Sequence, residues 1–123
     1  MGHIHDNQLW VEPVGDLIIA RVRGEPTEAL LRECQNRVLQ IMRDSGRSKV
    51  LYDALEMISP QVDVPWSQRE LDASLGPLKL RRAIVVPNTR LAYLARLAFG
   101  DGDYRVFYSD MTAAISWLSQ NDE

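Results

Sequence analysis

"GDLIIARVRGEPTEALLRECQNRVLQIMRDSGRSKVLYDAL", residues 15–55, holds a strand, a helix and a second strand in that order, and this order decides the fold. In its first part Ile18, Ala20 and Val22 share one face, whereas Leu17 and Ile19 begin the other before Arg21 and Arg23 turn it polar. Such alternation belongs to a strand covered on both sides at its start and on one side later. After Gly24 the period changes, and Leu30, Leu31, Cys34, Val38, Ile41 and Met42 fall on one stripe of a 3.6-residue helix. Thr27 supplies an N-cap, Glu28 suits the positive helix start, and Gly46 supplies a left-handed stop. "KVLYDAL" then reads as a short buried strand. A strand-helix-strand passage of this kind favours a right-handed crossover between parallel strands.

Upstream, "LWVEPV" reads as a strand joined to the first by a tight hairpin at Gly15-Asp16. Pro13 cannot donate to a ladder, which places this strand at an edge. Downstream, residues 56–65 have two prolines and no stable period, and read as a loop. "WSQRELDASLG" carries Ser67 and Glu70 in capping-box spacing and predicts a short helix ended by Gly76-Pro77. "RRAIVVP" is another strand. In "NTRLAYLARLAFG" Leu91, Leu94, Leu97 and Ala98 share a face, with Asn88 or Thr89 as cap and Gly100 as stop. A turn at "DGD" leads to the strand "YRVFYS"; Asp110 then caps a last helix whose expected inward stripe is Ala114, Ile115, Trp117 and Leu118. The reading is a single-domain α/β fold: a five-stranded mixed sheet with an antiparallel edge hairpin and about four helices on both faces. Residues 9–120 form the domain, between flexible ends at 1–8 and 121–123.

The 123 residues suit one core of ordinary size, burying roughly two thirds of the unfolded surface. A net charge of -3 gives no drive toward phosphate backbones or anionic membranes, and the basic residues are scattered, with only Arg81 and Arg82 adjacent. No nucleic-acid partner is expected. The start, "MGHIHDNQLW", lacks the basic and apolar regions of a secretory signal, and residues 111–121 are about half as long as a bilayer span requires. No membrane span is expected, and the expected location is cytoplasmic. The single Cys34 forms no internal disulfide and lies on the apolar stripe of the first helix, where an inert thiol is expected.

Several phrases together resemble the STAS domain, the fold of anti-sigma-factor antagonists, and more closely its SpoIIAA-like relatives. They are "GDLIIARVRGEPT", "KVLYDAL", "RRAIVVP" and "YRVFYSDMTAAISWL", and they span nearly the whole chain. The most distinctive is the ending F-x-x-D-x-x-x-A-x-x-W-L, carried by Phe107, Asp110, Ala114, Trp117 and Leu118. The resemblance implies a non-enzymatic regulatory or protein-interaction module. In regulatory members the middle strand runs into a D-S-S/A-G motif whose serine is phosphorylated, and a phosphate at that helix start makes or breaks a partner surface. Asp53 matches the acidic strand end, but "ALEMISPQVDVPWSQRE" replaces the short phosphoacceptor turn with a longer segment.

Within that segment Ser59 and Ser67 are the candidate phosphoacceptors, against structural readings as a Ser-Pro turn and a helix cap. Asp53 is a polar strand end suited to fixing a turn. His3, His5 and Asp6 offer adventitious metal affinity only, "GDGD" at residues 100–103 lacks the rest of a calcium loop, and no phosphate-cradling glycine spacing occurs. No metal, cofactor or catalytic residue is assigned. Trp66 serves either as a staple packing on Leu71 or as an aromatic anchor in a contact surface with Met57, Ile58, Val62 and Val64. The loop 56–66 is therefore the expected contact for a protein partner or for self-association. The alternative function is a carrier of an apolar small molecule or lipid, because SpoIIAA-like folds are similar to lipid-binding Sec14 domains.

Overall fold

Gly15 has a φ of +59°, a left-handed value suited to glycine, and with Asp16 it closes a two-residue hairpin between β1 (Leu9–Val14) and β2 (Leu17–Val22). The computed structural model describes residues 8–58, 80–99 and 103–120, with the side chains of residues 97–99 left out. The register runs from Val14 opposite Leu17 to Leu9 opposite Val22. Because Val14 and Leu17 close the hairpin as a hydrogen-bonded pair, alternation makes Pro13 opposite Ile18 a non-bonded pair. The proline ring thus replaces an N–H that would point away from β2, and costs the hairpin no bond.

α1 (Glu28–Ser45) follows; its first turn is capped by Thr27, whose Oγ1 accepts from the Leu30 N–H at 3.0 Å, and Gly46 ends it at a φ of +75°. Beyond it β3 (Lys49–Asp53), β4 (Arg81–Val86) and β5 (Tyr104–Tyr108) add in turn, each parallel to the strand before. The spatial order is β1-β2-β3-β4-β5, identical to the chain order. α2 (Thr89–Phe99) connects β4 to β5, with Asn88 Oδ1 accepting from the Leu91 N–H, and α3 (Met111–Leu118) closes the fold behind the Asp110 cap.

The faces separate as the alternation requires. On one face Ile18, Ala20 and Val22 of β2 and Val50 and Tyr52 of β3 pack with Ile84 and Val86 of β4 under α1 and α2. On the other, Leu17, Leu51, Ala83 and Val85 lie beneath Ala114 and Leu118 of α3. β3 and β4 are buried on both sides, which is why they read as unbroken apolar runs. The expected mixed sheet, edge hairpin and two-sided helix cover are all present.

Three details differ from expectation. The described residues contain three helices; the short helix read at residues 67–75 lies outside them. Ile115, placed on the inward stripe, is 40% exposed, because the eight-residue α3 turns only Ala114 and Leu118 fully into the sheet, with Met111 and Trp117 partly buried beside them. Among the described side chains of α2 the buried ones are Leu91, Ala92 and Ala95, with Leu94 at the margin; those of Leu97 and Ala98 lie outside the described residues. The small alanines turn inward because they bring the helix close to β4 and β5.

Replacing Leu118 by Ala opens a cavity between α3 and the sheet and is expected to lower stability by about 2–4 kcal/mol in urea unfolding. Ile115→Ala is expected to change it by less than about 1 kcal/mol, as befits a half-exposed side chain. Equal losses would return Ile115 to the core.

Candidate functional site

The strand ends that hold Asp53 are assembled by register. Arg21 of β2 stands opposite Asp53 of β3, and Trp10 of β1 stands opposite Arg21, so the three side chains form a row across one face. Arg21 Nε lies 3.1 Å from Asp53 Oδ2, and its guanidinium lies over the Trp10 ring at 5.3 Å. The other Asp53 oxygen accepts from the Leu55 N–H at 3.1 Å, which fixes the turn leaving β3. Asp53 is 7% exposed, and both its oxygens are engaged by a guanidinium and a backbone amide.

Beyond Asp53 the chain does not leave the sheet at once. Ala54 N–H donates to Val85 O and Met57 N–H to Ala54 O. Gly24, at a φ of +75°, then continues the pairing of β2 with this segment: its N–H donates to Glu56 O, and its carbonyl accepts from the Ile58 N–H, both at 2.9 Å. Arg23 Nε lies 3.0 Å from Glu56 Oε2 alongside. The extended alternation points Met57 inward, where it packs against the core under α1, and leaves Ile58 outward at 61% exposure. Of the apolar contact residues read from the sequence, Ile58 is thus at the surface and Met57 is partly a packing residue. Val62, Val64 and Trp66, and the serines Ser59 and Ser67, lie outside the described residues.

The residues that sequence reasoning passed over are Arg21, Arg23, Gly24 and Glu56. The signal for them was the polar turn of β2 at Arg21 and Arg23 beside an acidic end on the neighbouring parallel strand. What the sequence did not reveal was the register that sets Arg21 opposite Asp53.

Burial pushes the Cys34 thiol up from 9.0 to about 12, the charge of Arg37 opposing only weakly, so the thiolate is disfavoured at neutral pH. Among the described residues no group of three His, Cys, Asp or Glu side chains is placed to hold a metal ion. No helix among them is long and apolar enough to cross a membrane. The strand order also matters: parallel crossovers that always advance in one direction create no switch point, and so no crevice of the kind that receives ligands in doubly wound sheets.

Comparison with known proteins places this architecture. The chain is similar to an uncharacterized protein of the DUF3478 family with a SpoIIAA-like fold from Shewanella loihica PV-4, at 19% identity over 89% of this chain and 91% of that one, with a TM-score of 0.58. It is similar also to the anti-sigma factor antagonist SpoIIAA in its unphosphorylated form, at 14% identity over 92% of this chain and 99% of that one, with a TM-score of 0.59. No family model and no curated protein sequence matches. The fold is therefore SpoIIAA-like, as the sequence phrases implied.

Two measurements check this site. Asp53→Ala removes both the turn bond and the ion pair and is expected to cost about 1–2 kcal/mol in urea unfolding, whereas Asp53→Asn keeps an acceptor for the Leu55 N–H and is expected to cost about half as much. For Cys34 the folded value lies above the unfolded one, so its contribution to stability is full below about pH 9 and declines as pH rises toward 12. Native protein at pH 8 is accordingly expected to react with a thiol reagent only as fast as it opens, and prompt reaction would contradict the burial.

Proposed function

We propose that this chain is a non-enzymatic regulatory module that binds another protein through the segment leaving β3, with Ile58 as the described part of the contact. The observation that supports this most is the combination of exposure and fixation at Ile58. A large aliphatic side chain points into water from a backbone held to Gly24 on one side and flanked by the Arg23–Glu56 pair. Rigid apolar groups bordered by charged ones are what partner surfaces use, because little entropy is lost when they are covered. Val62, Val64 and Trp66 extend this proposed surface through residues 56–66, while Met57 anchors the segment to the core.

The relation to the SpoIIAA fold sharpens the proposal. The two positions after Asp53, where the resemblance expects the phosphoacceptor turn, are Ala54 and Leu55. Ala54 is buried with the core under α1 and α2, and Leu55 leans on the core under α3. Neither carries a hydroxyl. A switch at this strand end would have to act through Ser59 or Ser67, and the reading favoured here is a constitutive apolar contact instead.

The test is to place a photo-cross-linking residue at position 58 in the full chain in its own host, identify the protein captured, and measure its affinity for purified variants. Ile58→Asp and Trp66→Ala are each expected to weaken that binding at least about tenfold, with the melting temperature unchanged. Capture no stronger at position 58 than at an exposed position of α3 such as Ser116, or affinity indifferent to both variants, would defeat the proposal.

A further inference from the structure

β1 and β5 are the two edges of the sheet, and they are not equivalent. The outward side of β1 is interrupted by Pro13, which offers no donor there. On β5 the Arg82 N–H donates to Asp103 O at 3.2 Å and the Ser109 N–H to Val86 O at 2.9 Å. Alternation of a parallel ladder between these two bonds turns the backbone groups of Arg105 and Phe107 toward β4. The N–H and C=O of Val106 and Tyr108 therefore point away from the sheet, along an edge without proline. Among the described residues no further strand covers that edge.

The order of side chains along it is nearly symmetric: Tyr104, Arg105, Val106, Phe107, Tyr108. We infer that β5 pairs antiparallel with β5 of a second copy of this chain, about a twofold axis through Val106. In that register Val106 faces the partner's Val106 as a hydrogen-bonded pair, and both bonds are exchanged. Tyr104 stands opposite the partner's Tyr108, an aromatic cross-strand pair. Arg105 stands opposite the partner's Phe107.

The one charged side chain of β5, Arg105, meets an aromatic ring in this arrangement. The Arg105 guanidinium lies over its own Phe107 ring at 5.7 Å, and the pairing gives each ring a second cation from across the axis. No two like charges are directly opposed. Arg96 of α2 donates to the Tyr108 hydroxyl at 3.3 Å, and the two Tyr108 residues lie about 13 Å apart along the paired strands, at ~3.3 Å per residue, which keeps the Arg96 groups separate. α2 packs over β4 and β5, so the two copies of this helix meet across the axis at about 10 Å, within the range at which helices pack. The pairing sits at the opposite side of the sheet from β1 and leaves Ile58 uncovered, so it stands or falls independently of the contact proposed above.

Sedimentation velocity of the full chain over a dilution series is expected to show a monomer–dimer equilibrium. Val106→Pro removes only the outward N–H and is expected to raise the dissociation constant by at least about thirtyfold, the equivalent of the two bonds lost at the axis. Should that variant fail to fold, amide hydrogen exchange on the unaltered chain decides the matter. Val106 and Tyr108 are expected to gain protection with rising concentration, while Arg105 and Phe107 stay protected throughout. A monomer at all concentrations up to about 1 mM, or a dimer in which the Val106 amide exchanges at the same rate at every concentration, overturns the inference.

Discussion

Two backbone hydrogen bonds at Gly24 hold together the part of this molecule that distinguishes it. They carry the pairing beyond the ends of β2 and β3, so that after a turn at residues 55–56 the chain returns to the sheet at Met57 as an isolated bridge. The left-handed backbone at Gly24 permits this, because a side chain there would be strained at a φ of +75°. Two ion pairs precede the bridge on the same two segments, Arg21 with Asp53 and Arg23 with Glu56. Both pairs have a partly exposed arginine, so each adds little stability alone.

The same constraint shapes the carboxyl ends of the strands. Asp53 is the one buried carboxylate, and its oxygens serve a guanidinium and a turn, which leaves no acceptor set aside for proton transfer among the described residues. The strand order advances in one direction and so makes no topological switch point among the described residues. What those ends do present is a fixed segment with an inward methionine and an outward isoleucine.

Much of this was legible in the sequence, for reasons that differ by element. β3 and β4 are buried on both faces, so their apolar runs could hardly be read otherwise, and α1 declared both ends through Thr27 and Gly46. α3 was located by Asp110, but its stripe was read too wide, since eight residues on a twisted sheet bury a narrower arc than the hydrophobic pattern of Ala114, Ile115, Trp117 and Leu118 suggests. Asp53 was visible as a strand end, whereas its partner was not, because Arg21 is distant in sequence and meets it only through the register of parallel strands. The same holds for Gly24 and Met57, whose bridge belongs to no repeating pattern.

The claim that Met57 and Gly24 bridge the segment back to the sheet is tested most directly by amide hydrogen exchange at Gly24 and Ile58 in the folded monomer. If the bridge persists, both amides exchange slowly, at rates near that of Ala54, whose N–H is bonded to Val85 at the end of β3. Exchange at both positions as fast as in an unstructured peptide would contradict it, since Ile58 would then have no fixed support from which to bind anything.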